Sequence, residues 1–258
     1  MTSFLLRLFA STVLAGAAIA FAQSPTDRAA ELLDKGQFLA AEQLIESLAL
    51  AKRPDPVAVW ELSRVRIGQQ LTEDGIKLAE KAIKLDPTQA RFHAQLGSAY
   101  MVHMATAGRL DRSSYAGKMR KAFEKALQLD PKNATALAGL ARYHWNFGTT
   151  KEDLAKATDY AEAARKIDAY AGEFELGSVA VRRNDMPTAL THFEAAVAAK
   201  PDSIEAQTAC GLALLRLGRR AEARERFQTA LKLSPAAEMA RDSLQILDKA
   251  EELDAKKR

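Results

Sequence analysis

The chain has 258 residues, with 37 Lys and Arg against 33 Asp and Glu for a formal net charge of +4, and a single cysteine. Charge this balanced, with both signs interspersed, argues against nucleic-acid binding, which needs a strongly basic surface. One cysteine cannot close an internal disulfide, so stability has to come from buried apolar surface.

Residues 1–22 differ from everything after them. Arg7 is the only charge, Leu8 to Phe21 is apolar or small, and Ala20-Phe21-Ala22 has the small-x-small form that signal peptidase accepts. The segment reads as a cleaved signal peptide rather than an anchor, because a membrane span needs roughly 20 apolar residues. Cleavage leaves Gln23 as the new N-terminus, and no cysteine follows to carry a lipid. The expectation is a periplasmic or secreted protein of a Gram-negative bacterium, with no stable membrane insertion after cleavage.

Residues 23–55 hold an irregular helical hairpin, with Lys35-Gly36-Gln37-Phe38 as its turn, Ala41 and Ile45 facing inward, and Pro54 and Pro56 closing it. A unit over 56–87 follows, ending at Leu85-Asp86-Pro87, and another over 90–131, ending at Leu129-Asp130-Pro131. The latter carries an excess of about ten residues between Met104 and Gly117. The unit over 134–169 turns at Gly148 and adds about four residues at Thr149 to Asp153. Units 170–201 and 204–235 are in register: Gly211, Gly218, Ala223, Phe227, Ala230 and Pro235 lie 34 residues after Gly177, Asn184, Ala189, Phe193, Ala196 and Pro201. A period of this size marks a repeat array, in which one hairpin cannot enclose its own apolar face and must stack on the next. Residues 236–258 are expected to form a capping helix, with Met239, Ala240, Leu244, Leu247, Ala250 and Leu253 on its buried stripe and charge on the other side.

The pattern resembles the tetratricopeptide repeat, which places a small residue at position 8, Gly or Asn at 15, Ala at 20, an aromatic at 24, Ala at 27 and Pro at 32. Numbering from Tyr170 and from Ile204 fills all six places twice. The lengthened middle units are similar to those of a group of exported bacterial repeat proteins with no agreed activity. The resemblance implies an all-α, right-handed superhelix, an α-solenoid of about six helical hairpins plus the C-terminal cap.

In such arrays the first helix of each hairpin lines an inner groove with positions 2, 5, 9, 12 and 13, opposite the face that meets its partner helix. Those places hold Trp60, Arg64, Arg91, Met101, Arg142, Trp145, Asn146, Phe174, Arg182, Leu212 and Arg216. Arginine and aromatic side chains are the types enriched at binding hot spots. Guanidinium forks bind carboxylates in two-point fashion, so the groove is expected to hold an extended peptide or helix with acidic and apolar residues. The clamp that grips chaperone tails is a poor match, since of its Lys at position 5 and Asn at 9 and 13 only Asn146 is present.

His93, His103, His144 and His192 lack the close pairing of zinc sites, and Cys210 falls on a core position. No Gly-rich phosphate loop, nucleophile elbow or set-apart carboxylate pair occurs. The sequence therefore predicts a non-enzymatic interaction scaffold or adaptor with no cofactor or metal, serving an envelope complex. The alternative is a cell-wall or polysaccharide assembly factor whose groove aromatics stack on sugar rings.

Overall fold

The computed structural model describes residues 24–106 and 109–256, so the predicted signal segment lies outside the described residues. Among the described residues there are thirteen helices and no strand. They pair as α1 (Pro25–Asp34) with α2 (Phe38–Ala49), α3 (Pro56–Gly68) with α4 (Thr72–Leu85), and α5 (Ala90–Thr106) with α6 (Arg109–Leu129). Then come α7 (Ala134–Phe147) with α8 (Lys151–Arg165), α9 (Ala169–Arg182) with α10 (Met186–Ala199), and α11 (Ile204–Arg216) with α12 (Arg220–Leu233). α13 (Glu238–Lys256) closes the stack.

Local chemistry sets the helix ends. Asp55, Asn133, Asp168, Asp185 and Ser203 each cap a helix by accepting from a backbone amide of its first turn. Proline follows the last turns of α4, α6, α10 and α12 at Pro87, Pro131, Pro201 and Pro235, where it stops helix propagation. The hairpin turns use left-handed backbone at Gly36, Gln70, Asn184 and Gly218, with φ of 69°, 64°, 60° and 77°. Gly148 departs from the expectation. Its φ is −68°, and the chain runs on through Thr149 and Thr150, which with Asp153 build a capping box for α8. The extra residues replace the tight turn.

The described residues of the excess in the third unit are helical, lengthening both α5 and α6. α5 and α6 have 17 and 21 residues, against 13 and 14 for α11 and α12. The extension is held by Tyr115, whose ring lies 5.6 Å from Tyr100 and 4.5 Å from His103.

Within hairpins, large rings fill the hollows left by small residues. A Cβ added to Gly177 or Gly211 would come within 2.5 Å of Phe193 or Phe227, so the helices approach closely only because those positions lack side chains. Phe123 sits in the same way against both Gly97 and Gly139, joining two successive hairpins. Ala82, Ala126, Ala164, Ala196 and Ala230, one in each second helix from α4 to α12, are fully buried. The core runs along the stack as four successive clusters, from Ala29 and Leu33 at one end to Leu247 at the other.

The capping helix corrects one expectation. Ala240, Ser243 and Leu247 are its buried residues, while Met239, Ile246 and Leu253 are 61%, 63% and 57% exposed. α13 meets the stack through Ala240, Ser243 and Leu247, and Met239 and Leu253 lie off that face. The charged side is not wholly solvating either, because Asp248 and Glu251 reach back to Arg224 of α12 at 2.6 and 3.1 Å.

Candidate functional site

The first helices of successive hairpins form one wall, α1, α3, α5, α7 and α9 touching in turn and α11 touching α13. Between α9 and α11 the backbones approach less closely; the Tyr170 hydroxyl lies 2.8 Å from Ser203 Oγ, Phe174 packs on the core the two helices share, and beside them a cavity of about 980 Å³ opens. Its apolar lining comes from Trp145, Phe174, Phe193, Ile204, Leu212 and Leu215, and its far end from Ala237 to Ala240 at the start of α13. Of the sequence-predicted residues, Arg142, Trp145, Phe174, Leu212 and Arg216 are brought together here. Tyr170, Phe193, Lys200 and Met239 also line it, and the sequence did not mark them as groove residues.

The arginine expectation changes most. Arg142 does not present a free fork: its Nε and Nη2 both donate to Glu175 Oε1, at 2.9 and 2.5 Å. Trp145 Nε1 donates to the other oxygen of Glu175 at 2.7 Å. Glu175 is only 2% exposed, and Arg142 and Trp145 between them give both of its oxygens a hydrogen-bond partner. Arg142 also donates to Met101 Sδ at 3.4 Å and lies 5.7 Å over the Phe174 ring. The network locks Arg142 and Trp145 in place as part of the wall. With Arg142 neutralised, the remaining charges of the lining are Lys200 and Arg216 against Glu205 and Glu238, so the rim is electrically mixed and the interior apolar.

The same chemistry recurs near the N-terminal end, away from the cavity. Trp60 packs on Phe92 with ring centroids 5.8 Å apart, and Arg64 and Arg91 lie 5.3 and 4.8 Å over its ring. Arg64 donates to buried Glu61 at 2.9 Å and to Asp34 at 3.2 Å. Burial pushes the Glu61 carboxyl above its usual range, with Arg64 and then Arg91 pulling against it. The Trp60 ring is thus already covered by guanidinium groups, which weighs against sugar stacking there. Arg182 is exposed and donates to the Trp145 carbonyl at 3.3 Å; Asn146 is exposed and does not line the cavity.

Glu61 and Glu175 occupy position 6 of their repeats, a place the helical-face reading passed over. A carboxylate beside an aromatic at position 5 in an otherwise apolar first helix was the available signal.

The histidines serve separate local contacts. His93 meets the Pro87 carbonyl, His103 meets Thr72, His144 meets Asp153 and His192 meets Glu173. Burial pushes the Cys210 thiol up to about 12, so it stays protonated and unreactive. Among the described residues no group of three His, Cys, Asp or Glu side chains is placed to hold a metal ion, and no helix is long and apolar enough to cross a membrane.

The family model described as Tetratricopeptide repeat matches residues 174–238 and 208–255. No curated protein matches the sequence. Among solved structures, the chain is similar to a thermophilic TPR protein of Thermus thermophilus, with a TM-score of 0.65 and 18% identity over 74% of this chain and 97% of that one. It is also similar to PilW, a widely conserved type IV pilus biogenesis factor, with a TM-score of 0.59 and 16% identity over 85% of this chain and 96% of that one. At these identities the likeness bears on the fold alone. Stacked hairpins of the right period, glycine-to-phenylalanine packing between their helices, and the family match identify residues 174–255 as tetratricopeptide repeats, and the whole stack has the fold of a tetratricopeptide repeat array.

Proposed function

We propose that the protein is an interaction scaffold of the bacterial cell envelope that holds a peptide or helix of another protein in the cavity between α9 and α11. Tetratricopeptide arrays are generally non-catalytic scaffolds for protein partners. The observation that supports the site is the cavity itself. It is a space of about 980 Å³ lined mostly by aromatic and aliphatic side chains, with Arg142 paired to Glu175 and the other charges of the lining of both signs. An apolar cleft with few fixed polar groups suits the hydrophobic face of a segment that supplies its own backbone hydrogen bonds, as a helix does. The apolar face of the partner supplies the affinity, and the rim charges set its direction.

A random peptide library selected on the folded chain tests this reading. The expected winners carry apolar residues at helical spacing and lose binding to the Leu212→Asp/Leu215→Asp variant by at least about tenfold, since a carboxylate in the cleft must be desolvated. Selected peptides that bind the variant as well as the parent overturn the site. These leucines suit the test better than Arg142 or Trp145, whose removal also strips partners from buried Glu175. The envelope location rests on the N-terminal segment: chain recovered from the periplasm is expected to begin at Gln23, and a retained Met1 terminus overturns it.

A further inference from the structure

Met239, Ile246 and Leu253 follow one another at intervals of seven residues along α13, and all three stand more than half exposed. At 3.6 residues per turn this spacing keeps them on one face, with a drift of roughly 20° per step. The face adjoins the buried one, which is set by Ala240, Ser243 and Leu247. Other large exposed apolar residues, such as Leu39 and Leu71, are scattered, whereas this line runs the length of the terminal helix. A terminal helix that only solvates the stack has no use for it.

The charges along the same face indicate the occupant. Asp242 lies between Met239 and Ile246, and Lys249 between Ile246 and Leu253; both are exposed. When two copies of α13 are laid antiparallel with Ile246 on the two-fold axis, Met239 of one meets Leu253 of the other and Asp242 falls beside Lys249, twice by symmetry. A parallel pair sets Asp242 on Asp242 and Lys249 on Lys249, like charge on like. The stripe is therefore complementary to itself in one orientation, as an isologous interface requires. We infer that α13 is a homodimerisation helix that pairs antiparallel with α13 of a second copy of this chain. The contact is small, a helix of about 28 Å with three large apolar side chains, and the expected dissociation constant is micromolar.

Sedimentation equilibrium of the full chain up to about 100 μM tests this, with circular dichroism to confirm that each variant is folded. The parent is expected to show a reversible monomer–dimer equilibrium, and Ile246→Asp to weaken it at least about tenfold. Asp242→Lys and Lys249→Asp singly weaken dimerisation, and the double charge reversal restores it, which fixes the antiparallel register. A parent that stays monomeric throughout, a dimer indifferent to Ile246→Asp, or a double reversal no better than either single change overturns the inference. Met239 also lines the cavity, so peptide binding by the Ile246→Asp monomer separates this interface from the groove.

Discussion

At the scale of single residues, the decisive group is Glu175. A carboxylate that is 2% exposed costs several kcal/mol to desolvate unless it is paired, and here a guanidinium and an indole N–H share that task. Removing one partner leaves the other stranded. Arg142→Ala is expected to lower unfolding free energy by about 3 kcal/mol in urea titration. The double change Arg142→Met/Glu175→Gln should recover most of the loss, because it removes both charges while Gln still accepts from Trp145. A double variant no more stable than Arg142→Ala would show that the pair is not what holds this part of the wall. The arginines were legible in the sequence as groove residues; that two of them are spent on internal carboxylates was not, because helical spacing gives a residue's direction and not its partner.

At the scale of the helix, the fourth hairpin shows how local chemistry substitutes for a tight turn. With Gly148 in extended backbone, the start of α8 depends on Asp153, which accepts from the Thr150 hydroxyl at 2.9 Å and from the amides of Thr150 and Thr149 at 3.2 and 3.1 Å. These hydrogen bonds, from Thr150 first and with smaller help from His144 and Thr149, hold the Asp153 carboxyl down to about 2. An unfolded aspartate titrates near about 3.9. Because the folded value is the lower one, the ionised cap adds stability that is fully present above about pH 4 and is lost as pH falls toward about 2. Thermal unfolding of the parent and of Asp153→Asn should therefore differ by a constant amount above about pH 4 and converge below it. A gap that persists unchanged at low pH would mean that the cap does not act through its charge.

At the scale of the whole molecule, the stack is a one-dimensional series in which each hairpin is stabilised by its neighbours. Leu247 and Ala240 of α13 complete the cluster that contains Leu214 and Phe227, and the first residues of α13 form the far end of the cavity. Truncation after Pro235 is expected to speed hydrogen exchange in α11 and α12 while leaving α3 and α4 unchanged, and to abolish peptide binding in the cavity. Uniform acceleration along the chain would show instead that the array melts as a single unit.

The repeat period, the small-to-aromatic pairing of Gly177 with Phe193 and Gly211 with Phe227, and the proline stops were enough to specify an all-helical stack of hairpins, since each is a local rule read along the chain. Tertiary structure decided where the wall opens. No residue pattern within one repeat says that a cavity opens beside α9 and α11, that Glu175 claims Arg142, or that Met239, Ile246 and Leu253 lie off the buried face of α13. Those outcomes depend on the rotation of one hairpin against the next, which is set by side-chain volumes summed over several interfaces and has no signature in the spacing of residues along a single helix.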